Sequence, residues 1–93
     1  MEKIIRLHIR FFGSVQGVGF RYTARHAADR YRVTGWVRNE YDGSVTMEIQ
    51  GSEAGIDRLI QELQAGRYID IQDIRMSKIP TDPEERDFRV RAY

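Results

Sequence analysis

The chain has no cysteine, no long apolar run and no excess of charge of either sign. Without cysteine, disulfides, zinc–thiolate sites and a phosphocysteine intermediate are excluded, and the sequence suits a reducing cytosol. Fifteen Lys and Arg against fourteen Asp and Glu leave a formal charge of +1, too balanced for a general polyanion binder, so any anion site has to be local. The opening Met1-Glu2-Lys3-Ile4-Ile5-Arg6 runs directly into an alternating pattern with no signal-like or membrane-spanning stretch, so a soluble, cytoplasmic protein with no membrane partner is expected. Repeats, low-complexity segments and interdomain linkers are also missing. Ninety-three residues with 41% hydrophobic content then fit one domain over residues 1–93.

What is present is a regular succession of periodicities. Ile5, Leu7, Ile9 and Phe11 alternate with Arg6, His8 and Arg10, which predicts a strand with one buried and one wet face. Phe20, Ala24, Ala27, Ala28 and Tyr31 recur at helical spacing and predict a helix over 21–31. Val33 to Asn39 and Val45 to Ile49 alternate on either side of Tyr41-Asp42-Gly43, a hairpin with an Asp-Gly turn. Ser52 is placed to cap a helix carrying Ile56, Leu59, Ile60 and Leu63, and Gly66 sits where a left-handed stop is wanted. Ile69 and Ile71 alternate, then Ile74 and Met76 resume one residue out of phase, which signals a bulge or a late strand start. Pro80 to Glu85 is a polar loop, and Phe88, Val90 and Ala92 mark a short last strand.

This order predicts an α+β fold, a ferredoxin-like α/β sandwich (βαββαβ plus a short C-terminal strand) with two helices on one face of an antiparallel sheet. One apolar face per strand agrees with two layers and argues against a doubly wound parallel sheet.

Between the first strand and the first helix lies Gly13-Ser14-Val15-Gln16-Gly17-Val18-Gly19-Phe20-Arg21. Glycines at this density allow successive N–H groups to turn toward one point, which forms a cup for an anion. Arg21 adds a planar fork of donors matched to phosphate oxygens, where the following helix also directs its positive end.

That segment, taken with Gly35-Trp36-Val37-Arg38-Asn39 and Asp42-Gly43-Ser44-Val45, resembles the acylphosphatases. The resemblance runs from the first strand through the second helix, and faintly into Phe88-Arg89-Val90-Arg91; the two motifs together are specific. It implies hydrolysis of acyl phosphates to a carboxylate and inorganic phosphate, with no metal and no organic cofactor. It also implies Arg21 as the phosphate-binding group and Asn39 as the group that positions the attacking water. The chain departs from the pattern at Gly66-Arg67-Tyr68, where similar proteins carry a Gly-Pro turn, and this leaves the start of the fourth strand open. A related domain begins larger hydrogenase-maturation proteins; the single domain and the lack of cysteine here favour a stand-alone enzyme.

The residues suit that reaction. A carboxylate with a pKa of about 4 leaves without a proton donor, so the site has only to hold the phosphoryl group, spread its charge and place a water in line. The backbone amides of Val15, Gln16, Gly17, Val18, Gly19 and Phe20 serve with Arg21 for the first two tasks. Asn39 serves for the third, since its side chain both accepts and donates. No strong base is evident; a phosphate oxygen of the substrate is one candidate. The alternative from another class is a non-catalytic module that holds phosphate or a phosphorylated metabolite in the same cup.

Other candidates have plainer readings. His8 and His26 have no metal-ligand companions at useful spacing and are expected at the surface. Asp42 is explained by its turn, and Glu40 as a solvated side chain. Trp36 and Arg38 on the open sheet face invite comparison with RNA-binding sheets, but the RRM signature is missing and no nucleic-acid partner is expected. A monomer is expected, because single exposed aromatics such as Tyr68 and Tyr93 need no partner.

Overall fold

Alternation over the first segment produces β1 (Ile4–Ser14), which continues past the Phe11 where its apolar pattern stops. It is followed by α1 (Phe20–Tyr31), β2 (Thr34–Asn39), β3 (Val45–Ser52), α2 (Glu53–Gln64), β4 (Asp70–Ile79) and β5 (Phe88–Arg91). The computed structural model describes residues 2–92, so Tyr93 lies outside the described residues. The strands form one sheet in the order β4-β1-β3-β2-β5, and the first four pair antiparallel, as the ferredoxin-like reading requires. Ile9 and Phe11 of β1, Val37 of β2 and Val45, Met47 and Ile49 of β3 are sealed beneath both helices. Ala24, Ala27 and Ala28 of α1 and Ile56, Leu59 and Leu63 of α2 complete this core.

The antiparallel expectation needs one correction: β5 runs parallel to β2, with Phe88 opposite Gly35, so the five-stranded sheet is mixed. The cause is where β4 ends. Ile79 pairs with Arg6, at the end of the sheet where β2 begins. The chain then crosses at that end and enters β5 beside the start of β2, which leaves both strands running the same way. The fourth strand begins at Asp70, and its phase shift is a bulge: Phe12 pairs with Asp73 while Gly13 pairs with Ile71, leaving Gln72 unpaired. The bulge lets Ile71 and Ile74 both pack against the core despite their odd spacing.

The helix ends also differ from expectation. Ser52 caps α2 by accepting from the Gly55 amide at 3.0 Å, as its position predicts. Gly66 is not left-handed: the helix closes through a tight turn in which its N–H donates to the Leu63 carbonyl at 3.2 Å. A Cβ there would lie 2.6 Å from Ile69 Cδ1, so a larger residue would require the Ile69 side chain to turn away. The left-handed stop occurs on α1 instead, at Arg32 (φ 57°), with Val33 N–H donating to the Ala28 carbonyl at 2.9 Å.

Alternation places Arg6 on the wet face, yet it is only 6% exposed, because residues 80–87 lie across that end of the sheet. Both Glu85 carboxylate oxygens accept from the Arg6 guanidinium, at 2.8 and 3.1 Å. Thr34 Oγ1 donates to the same carboxylate at 2.7 Å. Gln50 holds the backbone of Asp82 by two hydrogen bonds, at 2.7 and 2.9 Å. This strap ties β1, β2 and β3 together at the end remote from the glycine loop. Without Glu85 the Arg6 guanidinium keeps one ion pair, the longer one with Glu48 at 3.4 Å, and Thr34 Oγ1 loses its acceptor, so Glu85→Ala is expected to destabilise the fold by about 1–3 kcal/mol. A lowered urea midpoint at unchanged slope is the result to look for.

Candidate active site

The chain between β1 and α1 is held over the end of the β2–β3 hairpin by a side chain that the sequence recommended only for its backbone. Gln16 Nε2 donates to the carbonyls of Glu40 and Ser44, at 2.7 and 2.9 Å. These two residues also close the hairpin, with Glu40 N–H donating to the Ser44 carbonyl at 2.9 Å. Gln16 therefore staples the loop to the turn that carries Asn39.

The turn is rigid in its own right. Asp42 accepts from the Ser44 amide at 2.9 Å and hydroxyl at 2.6 Å, while Arg10 donates to its other oxygen at 2.9 Å. The Ser44 contacts, with Arg10 behind them, hold the Asp42 carboxyl below its ordinary value. Glu40 is more than a solvated side chain: it pairs with Arg38 at 3.0 Å, and the Thr46 hydroxyl followed by that guanidinium holds its carboxyl below the usual 4.5. Both carboxylates stay ionised at neutral pH, Asp42 bracing the turn and Glu40 holding Arg38 beside it.

On the other side, Val15 and Phe20 anchor the loop in the core at 1% and 2% exposure, with the Phe20 ring edge-on to Phe11 at 4.9 Å between centroids. Between these anchors Gly17 (φ 70°) and Gly19 (φ 82°) are left-handed, the conformation that turns consecutive amides to one side. Gly19 is the N-cap of α1 and has no side-chain cap; the first helical hydrogen bond runs from Thr23 N–H to the Gly19 carbonyl at 2.9 Å. Among the described residues, no carbonyl or side-chain oxygen accepts from the amides of residues 16–22. These amides, at the positive end of a helix, are free to receive an anion.

They border a hollow of about 400 Å³ lined by Val15, Gly17, Gly19, Phe20, Arg21, Tyr22, Arg25, Asn39 and Val90. Arg21 is exposed and has no ion-pair partner among the described residues. Asn39 lies opposite Val45 at the last pair of the β2–β3 ladder, on the helix-covered side of the sheet. Its Oδ1 is buried and has no hydrogen-bond partner among the described residues. An orphaned buried acceptor is uncommon in folded proteins and marks Asn39 as a residue whose side-chain oxygen the fold does not use for its own hydrogen bonding.

Of the residues singled out from the sequence, Val15, Gly17, Gly19, Phe20, Arg21 and Asn39 converge on this hollow. Gln16 acts through its side chain on the hairpin, and Val18 packs partly against the core, so neither side chain lines the cavity. Tyr22, Arg25 and Val90 were not foreseen; for Arg25 the signal was its position four residues after Arg21, on the same helical face. Among the described residues no group of three His, Asp or Glu side chains is placed to hold a metal ion.

A model of the acylphosphatase family matches residues 7–90. The chain belongs to the acylphosphatase family. That match includes every residue of the hollow, from Val15 to Val90. A protein named acylphosphatase from Clostridium acetobutylicum is 41% identical over 86 residues, which covers 91% of this chain and 94% of that one. The crystal structure of acylphosphatase from Bacillus subtilis superposes with a TM-score of 0.84 at 29% identity, over 92% of this chain and 97% of that one. Full-length HypF, solved in its phosphate- and nucleotide-bound form, matches with a TM-score of 0.86 at 29% identity, over 99% of this chain but 12% of its own. The acylphosphatase fold therefore also occurs within a much larger protein.

Proposed function

We propose that the chain hydrolyses the carboxyl–phosphate bond of acyl phosphates, with the phosphoryl group held by the amides of Val15 to Phe20 and by Arg21. The observation that carries this reading is the conjunction of an uncapped helix N-terminus, an unpaired Arg21 and the orphaned Asn39 Oδ1 around one hollow. The amides and the guanidinium donate to the non-bridging oxygens and to the charge that grows on them as the bond to the leaving carboxylate lengthens. The side-chain amide of Asn39, which borders the hollow, holds a water and presents its oxygen to phosphorus in line with that bond. The water oxygen forms the new P–O bond, the acyl C–O–P bond breaks at phosphorus, and its electron pair leaves on the carboxylate. The water's proton passes to a phosphate oxygen, so no protein base and no acid are required, and neither is a metal or organic cofactor.

A module that only stored phosphate would need the cup and Arg21 but no buried acceptor beside them, and the orphaned oxygen favours hydrolysis. The protein works as a cytoplasmic monomer without a nucleic-acid partner. In support, no helix among the described residues is long and apolar enough to cross a membrane. The Trp36 ring is already covered by Arg38 and Arg91, 5.1 and 5.0 Å from its centroid, and offers no open stacking platform.

Selectivity tests the mechanism. Benzoyl phosphate or acetyl phosphate should release inorganic phosphate rapidly, while an alkyl phosphate monoester, whose alkoxide leaves only with a proton, should be turned over at least about 10³-fold more slowly. Equal rates on the two would overturn the proposal.

A further inference from the structure

The hollow just described is not closed along α1. Arg25 lines it and also lines an adjoining hollow of about 630 Å³, whose floor is Val33 and Phe88 and whose rim carries Arg32 and Arg86. Two carboxylates, Asp29 and Asp87, share that rim, and Asp87 is turned to Arg89 at 3.1 Å. Arg86 is engaged by the Pro83 carbonyl at 2.9 Å. Arg25 has no such partner. Arg6, Arg10, Arg30, Arg38, Arg75 and Arg89 each pair with an acidic side chain, whereas among the described residues Arg25 has no ion pair and no side-chain hydrogen bond.

We propose that Arg25 reads a second anionic group on the acyl part of the substrate, at the junction of the two hollows, so that the protein selects acyl phosphates with a carboxylate or second phosphate at their far end. This rests on the acyl phosphate reading of the hollow. Arg25 follows Arg21 by one helical turn, a rise of about 6 Å. A four-carbon acyl chain places its terminal carbon five bonds from phosphorus, and at about 1.2 Å per bond along an extended chain this is the same reach. A guanidinium fork carried one turn beyond Arg21 matches a carboxylate or a phosphate and has nothing to offer a methyl group. Tyr22 and Val90, at 70% and 43% exposure, form an open apolar border along which the methylenes run.

The test compares succinyl phosphate with butyryl phosphate, which share a chain length and differ in ending as carboxylate or methyl. The native protein should show a kcat/KM about three- to tenfold higher for succinyl phosphate at low ionic strength, the size expected of a partly exposed charge-assisted contact. Arg25→Gln should bring that ratio close to one, Arg25→Lys should retain part of it, and added salt should erode it in the native protein. A native ratio near one, or a ratio unchanged in Arg25→Gln, overturns the assignment while leaving acyl phosphate hydrolysis standing. Failure of the native protein to hydrolyse either compound overturns the hydrolytic reading and the assignment together.

Discussion

Arg21→Ala is expected to lower kcat/KM for an acyl phosphate by about 10² to 10⁴ and to weaken inorganic phosphate binding in parallel. Two charge-assisted hydrogen bonds from one guanidinium contribute about 1.5–3 kcal/mol each, and every 1.4 kcal/mol is a factor of ten. The parallel loss follows because Arg21 touches phosphate in the ground state and in the transition state alike. The fold should hardly notice. Arg21 is exposed and makes no ion pair among the described residues, so its removal should change stability by no more than about 0.5 kcal/mol. Arg21→Lys keeps the charge but loses the planar fork, and should fall between the native protein and the alanine variant. Steady-state kinetics with phosphate as competitive inhibitor, beside a thermal melt, separates these effects. An alanine variant that kept native phosphate affinity would remove Arg21 from the site.

Asn39→Ala should produce a different pattern: kcat about 10² to 10³ lower, phosphate affinity retained, and stability equal to or above that of the native protein. The magnitude is that of losing one positioned polar group whose role is confined to the transition state. The stability prediction comes from the orphaned Oδ1. A buried acceptor without a partner costs about 1–3 kcal/mol, so deleting it breaks no bond in the fold and relieves that cost, offset by the small void left behind. A residue that loses activity and gains stability when truncated is held for function rather than for folding. Asn39→Asp offers the contrast at equal volume. A carboxylate facing the bound oxyanion should repel it and lose phosphate affinity, which the alanine variant keeps. Native kcat in Asn39→Ala, or a large fall in its melting temperature, would show that the side chain does something other than orient water.

What the sequence disclosed and what it concealed divide along physical lines. Period-two and helical patterns report which face of an element meets the core, so the strands, both helices and the ferredoxin-like order were legible from Ile9, Phe11, Ala24, Met47 and Leu59 alone. The glycine loop was legible because only glycine enters the left-handed region freely, and Gly17 and Gly19 occupy it. Pairings between distant residues leave no periodic trace. Nothing in the Pro80 to Glu85 segment announces that Glu85 will bury Arg6, or that the chain will cross the sheet and bring β5 parallel to β2. Gln16 was noticed for its amide, whereas its side chain fastens the loop to Glu40 and Ser44, a contact that depends on how the hairpin folds back. Gly66 illustrates the opposite error: its position after a helix suggested a left-handed conformation that it does not adopt, and the left-handed stop falls on Arg32, at the end of the other helix.

All of this depends on the loop amides and Arg21 forming an oxyanion cup, and that is open to direct observation. Titrating ¹⁵N-labelled protein with inorganic phosphate should move the backbone amide signals of residues 16–22 in a saturable way, as donors without an acceptor among the described residues meet phosphate oxygens. The Arg21→Ala variant should lose that response at the same phosphate concentrations. Amide signals that stay still across residues 16–22 while those around Arg32 and Arg86 shift would place the anion in the other hollow and contradict the account.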